Sequence, residues 1–156
     1  MTLRLEYWSV AAQTTEALLA VNKSLEGSTL GAALIDLIYL RISQMNGCSY
    51  CIDLHTRDLR KSGESDARID GLAGWQDSPL FSDREKAALA WAEAVTRIEA
   101  SDAAWSELRK HYSDRELADI TYAAAVINAW NRVAISFRHE AEGGRGSGRA
   151  EAASRP

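Results

Sequence analysis

Leu40-Arg41-Ile42-Ser43-Gln44-Met45-Asn46-Gly47-Cys48-Ser49-Tyr50-Cys51-Ile52-Asp53-Leu54-His55 is the stretch on which the reading of this chain turns. It holds the end of one helix, a sharp stop and the start of another. Just upstream, Leu34, Ile35 and Ile38 recur with Ile42 at helical spacing, and Leu37 and Tyr39 widen the stripe. Asn46-Gly47 punctuates it. With a new helix opening at or near Cys48, the residues Cys48, Cys51 and His55 fall at i, i+3 and i+7 and project from one face. Both sulfurs then lie in the first turn, where unpaired backbone N–H groups and the helix dipole favour a thiolate. An imidazole one turn beyond Cys51 can take or return a proton near neutral pH. Asp36 lies on the preceding helix, and an antiparallel hairpin of the two helices would bring it back beside His55.

The rest of the chain reads as helix in the same way. A first helix is expected from about Ser9, which can cap it, to Lys23, with Val10, Leu18, Leu19, Val21 and Leu25 on its apolar face and Gly27 as its stop. The second runs from about Leu30 to Met45 and the third from Cys48 to Lys61, ended by Ser62-Gly63. A short helix over Asp66 to Leu72 precedes an irregular segment to Asp77. Ser82-Asp83-Arg84-Glu85 and Ser113-Asp114-Arg115-Glu116 have capping-box spacing and open helices to about Ile98 and Arg138. Between them another helix starts at Ser101 or Asp102 and ends near Tyr112. The last helix is apolar on most sides from Ile120 to Ile135, which places it in the core or at a subunit interface. From Ala141 to Pro156 the chain is Gly-, Arg- and Ser-rich without apolar period, and a disordered tail is expected.

Composition agrees with this reading. The 156 residues suit one domain, and 46% apolar with 26% charged residues is ordinary for a globular protein. Pro79 and Pro156 are the only prolines, and β-branched residues are few, which favours an all-α fold. No apolar run has the roughly 18 residues of a membrane span, and the N-terminus lacks the layout of a secretory signal. A net charge of −4 argues against nucleic acid as a partner. The expectation is an all-α, single-domain bundle of about six to seven helices over residues 1–140, cytoplasmic and homo-oligomeric, with a tail over 141–156.

Cys48 and Cys51 are the only cysteines. The loop they close is too short to staple a fold effectively. In a reducing compartment such a pair points to catalysis, redox sensing or metal binding. For a metal, Cys48, Cys51 and His55 would supply three ligands, with Asp36 or Asp53 as the fourth. Tyr50, Asn131 and Arg132 are read as packing or structural residues, and the five tryptophans as core and interface.

The stretch from Leu40 to His55 resembles the core of the alkylhydroperoxidase D-like proteins of the carboxymuconolactone decarboxylase superfamily, and Ile127-Asn128-Ala129-Trp130-Asn131-Arg132 resembles a second stretch of its small members. The resemblance implies an all-helical subunit in a homo-trimer or homo-hexamer. It implies a thiol peroxidase acting on organic hydroperoxides without a cofactor, regenerated by a dithiol reductant that in some members is a lipoylated protein. By the same resemblance Cys51 is the peroxidatic cysteine, Cys48 the resolving one, and His55 part of a proton relay. The family's relay glutamate corresponds to Asp36, one methylene shorter, which predicts a lost or water-bridged contact with His55. Tyr50 stands where the best-known peroxidases place a histidine. The superfamily's other chemistry, lactone decarboxylation, uses acid–base groups and needs no cysteine pair. A dithiol sensor without turnover is the non-enzymatic alternative.

Overall fold

The computed structural model describes residues 2–141 and is all-helical there. Its helices are α1 (Tyr7–Val10), α2 (Ala12–Leu25), α3 (Ala32–Asn46), α4 (Ser49–Lys61), α5 (Asp66–Gly71), α6 (Asp83–Arg97), α7 (Asp102–Leu108) and α8 (Asp114–Phe137), with a 3-10 turn over Leu72–Gly74. Among the described residues, eight α-helices replace the six to seven expected. The tail expected over 141–156 lies outside the described residues apart from Ala141.

The extra helix comes from the N-terminus. No continuous helix starts at Ser9; the chain breaks at Ala11 (φ −121°, ψ 41°) between α1 and α2. Tertiary packing overrides local propensity at this point. Tyr7 is buried and its ring stacks on Phe137, 5.0 Å between centroids, while the Arg4 N–H donates to the Phe137 carbonyl at 2.9 Å. The end of α8 thus pins the first turn in place. Ser9 Oγ donates to the Glu6 carbonyl instead of capping a helix, and Val10, expected on the apolar face, is exposed.

α3 is the central element, packed against α4, α6 and α8. Leu37, Ile38, Leu40 and Ile42 are essentially inaccessible to solvent, so nearly every side of this helix is covered. α8 buries Leu117, Ile120, Ala123, Ala124, Val126, Ile127 and Trp130, and its small residues let the neighbouring helices approach closely. Tyr122 and Ile135, by contrast, are exposed on it.

Both expected capping boxes form. Ser82 Oγ accepts the Glu85 N–H and the Glu85 carboxylate accepts the Ser82 N–H; Ser113 and Glu116 repeat the arrangement. Each satisfies two backbone donors that a helix start otherwise leaves open. α6 ends at Ile98 in the left-handed region, φ 60°, with the side chain 92% exposed. Within the core, Glu93 accepts from Arg41 Nε at 2.6 Å, Trp75 Nε1 at 2.7 Å and an Arg97 Nη at 2.9 Å, tying α6 to α3 and to the segment after the 3-10 turn. No helix among the described residues is long and apolar enough to cross a membrane.

Candidate functional site

The site is built on the α3–α4 turn. Gly47 follows α3 with φ 68°, a conformation glycine adopts without steric cost. Its N–H donates to the Gln44 carbonyl at 3.3 Å and the Cys48 N–H to the Ser43 carbonyl at 3.1 Å, the Schellman closure of a helix. Cys48 then caps α4, its Sγ accepting the Cys51 N–H at 3.3 Å. Helix termination and cysteine placement are therefore one local event.

α8 clamps this turn from behind. Asn46 Nδ2 donates to Asn131 Oδ1 at 2.8 Å and to Asn128 Oδ1 at 3.0 Å, and Asn131 Nδ2 donates to Ser43 Oγ at 3.0 Å. Asn131 is wholly buried and its amide is hydrogen-bonded at both ends, which fits the structural role read from the sequence.

Cys48 and Cys51 are bonded to each other, with Cα atoms 5.4 Å apart, and both are buried. They face different spaces. Cys51 lines a small cavity of about 10 Å³ together with His55, Asn22, Tyr50, Leu54 and Trp130. Cys48 lines a larger groove of about 520 Å³ with Ser49, Ile135, Arg138 and His139. Tyr50 and Ala134 border both. The Tyr50 ring also packs on His139, 4.0 Å between centroids.

His55 lies one turn after Cys51 and is buried. The antiparallel pairing of α3 and α4 sets Asp36 beside it: His55 Nδ1 is 3.6 Å from Asp36 Oδ1. That is an ion-pair distance but too long for a hydrogen bond, and Nδ1 has no hydrogen-bond partner among the described residues. The shorter aspartate thus leaves a gap. Tyr39 packs on the His55 ring at 5.0 Å. Burial, together with the Asp36 charge, pushes the Tyr39 hydroxyl well above its ordinary range, so it stays protonated.

Three further residues complete the surroundings of His55 without having been picked out for the site from sequence: Asn22, Tyr39 and Trp130. Asn22 Nδ2 donates to the Tyr39 hydroxyl at 3.2 Å, and Trp130 Nε1 donates to Asn22 Oδ1 at 2.8 Å. The available signal was Asn22 itself, a polar residue among Leu18, Leu19, Val21 and Leu25. Among the described residues no group of three or more His, Cys, Asp and Glu side chains is arranged to hold a metal ion.

The model of the Carboxymuconolactone decarboxylase family matches residues 10–94, which includes Asp36, both cysteines and His55. The chain belongs to this family. A full-length relative supports the assignment: YdfG of Bacillus subtilis, an uncharacterized protein, is 35% identical over 144 residues, covering 90% of this chain and 98% of YdfG. Within the family, the alkylhydroperoxidase D-like fold is evident from ATU0492 of Agrobacterium tumefaciens. That crystal structure of a protein of unknown function, considered a candidate antioxidant defence protein AhpD, superposes with a TM-score of 0.86 at 37% identity, over 90% of this chain and 98% of that one. An uncharacterized peroxidase-related protein from Silicibacter sp. TM1040 superposes with a TM-score of 0.74 at 26% identity, over 81% and 69% of the two chains. The family fold and the Cys-x-x-Cys disulfide motif are consistent with redox chemistry at this site.

Proposed function

We propose that the protein is a thiol-dependent peroxidase that reduces organic hydroperoxides through a Cys48–Cys51 dithiol/disulfide cycle. The observation that carries this is the pairing itself: two bonded cysteines at a helix N-terminus, with Cys51 and His55 on one cavity and Asp36 behind the imidazole. The description of ATU0492 as a candidate antioxidant protein and of the Silicibacter protein as peroxidase-related lends support.

The cycle follows from thiol chemistry. His55 accepts the Cys51 thiol proton, and the thiolate attacks the hydroxyl oxygen of the hydroperoxide. The O–O bond breaks, Cys51 becomes a sulfenic acid, and the alkoxide takes the proton from His55 and leaves as the alcohol. Cys48 sulfur then attacks the sulfenic sulfur, releasing water and forming the disulfide. A dithiol donor reduces it by exchange and leaves as its own disulfide. Asp36, 3.6 Å behind the imidazole, is the carboxylate of the relay. The donor is a cellular dithiol, a lipoylated protein being the family's precedent, and the compartment is the cytoplasm. Assembly as a homo-trimer or homo-hexamer would cover Tyr122 and Ile135 on α8.

The test is a single-turnover reaction of the fully reduced protein with cumene hydroperoxide, followed by thiol titration and mass spectrometry of the peptide holding Cys48 and Cys51. Loss of two thiols per chain with a Cys48–Cys51 disulfide is expected. Cys51→Ser should abolish consumption, and Cys48→Ser should leave a trappable sulfenic acid. Thiols that stay reduced in excess peroxide would refute the proposal.

A further inference from the structure

The hydrogen bonds around Asn22 lead from the cavity to a second group in the chemistry. Indole N–H is only a donor, so the bond from Trp130 Nε1 at 2.8 Å fixes which end of the Asn22 amide is oxygen. The other end, Nδ2, then faces the Tyr39 hydroxyl at 3.2 Å and spends one of its two hydrogens there. Among the described residues no acceptor takes the second. Asn22 lines the same cavity as Cys51 and His55, and that cavity, about 10 Å³, is the size of one oxygen-centred group such as a water. An amide donor locked from two sides, with one N–H unspent, is a preorganised anion-stabilising element.

We infer that Asn22 is a catalytic residue of the peroxide-reducing step, donating its free Nδ2–H to the oxygen that leaves from the O–O bond, while Trp130 and Tyr39 are positioning residues that hold the amide. The inference rests on the hydroperoxide reading of the site. When the Cys51 thiolate bonds to the hydroxyl oxygen, the electron pair of the O–O bond passes to the alkyl-bearing oxygen. That oxygen carries a full negative charge until the proton from His55 reaches it. Asn22 stabilises the charge during this interval and transfers no proton itself. The burden on it grows with the basicity of the leaving group: a tertiary alkoxide needs the donor, and the carboxylate released from a peroxyacid hardly does.

The experiment compares tert-butyl hydroperoxide with peroxyacetic acid as oxidants of the reduced protein, reading the second-order rate constants by stopped flow. In Asn22→Leu the rate with tert-butyl hydroperoxide is expected to fall about 10- to 100-fold, and the rate with peroxyacetic acid by much less. Trp130→Phe, which keeps the donor but frees its orientation, should shift the ratio of the two rates in the same direction by a smaller factor. Because both oxidants report on the same active molecules, the ratio is independent of any fraction of variant protein that fails to fold. Equal losses with both oxidants, or no loss, would overturn the role of Asn22 while leaving the peroxidase reading intact. A wild-type protein inert to both would overturn the two together.

Discussion

Asp36 stops 3.6 Å short of His55 Nδ1, and this gap is a direct handle on the site. Asp36→Glu restores the missing methylene and lets the carboxylate reach the imidazole. We expect oxidation of Cys51 by hydroperoxide at neutral pH to accelerate roughly three- to tenfold, the scale of gaining part of a charge-assisted hydrogen bond. His55→Ala should slow it by about 100-fold, the lower range for loss of a general base. Stopped-flow peroxide consumption reads both. Rates that match wild type in both variants would remove the pair from proton transfer. The cysteines and the imidazole were visible in the sequence because helical spacing is a local property, whereas Asp36, on the preceding helix, entered through the expected hairpin and the family resemblance. The 3.6 Å separation was not visible, since it depends on how α3 and α4 pack. Asn22 was also hidden: a lone amide on an apolar stripe acquires meaning only when Trp130 and Tyr39 meet it.

Helix boundaries separate into those set locally and those set at a distance. The stop at Asn46-Gly47 and the two capping boxes were readable because their hydrogen bonds close within a few residues. The break between α1 and α2 was not, because Tyr7 is held by Phe137 at the far end of the chain. At the α3–α4 turn the local determinant has a measurable cost. A Cβ added at Gly47 meets no atom within 4 Å, so Gly47→Ala carries only the penalty of a left-handed backbone. We expect a loss of about 1–2 kcal/mol in urea unfolding. Gly47→Asn should lose less, because asparagine tolerates this region. An alanine variant as stable as wild type would show that the turn relaxes to another conformation.

Across the molecule, Glu93 ties α6 to α3 and to the segment after the 3-10 turn. Burial pushes its carboxyl upward, but the hydrogen bonds from Trp75, Arg41 and Arg97 and the nearby Arg41 charge outweigh that and hold it below the ordinary value of 4.5. A group depressed in the folded state contributes stability that is present above its unfolded value and is lost as pH falls through the folded one. Urea midpoints are therefore expected to drop as the protein is acidified below about 4.5, and Glu93→Gln should flatten that slope. An unchanged slope would place the acid sensitivity elsewhere. Removing the side chain altogether, in Glu93→Ala, strands Arg41 and Trp75 and should cost about 3–5 kcal/mol. Ile98 stands at the opposite extreme. A branched side chain, 92% exposed, sits where the backbone turns left-handed at φ 60°. It packs against almost nothing and opposes the local conformation, so the native state forgoes roughly 1 kcal/mol of backbone free energy there. The fold therefore holds an unused margin of thermal resistance, and Ile98→Gly is expected to raise the melting temperature without altering the cysteine site.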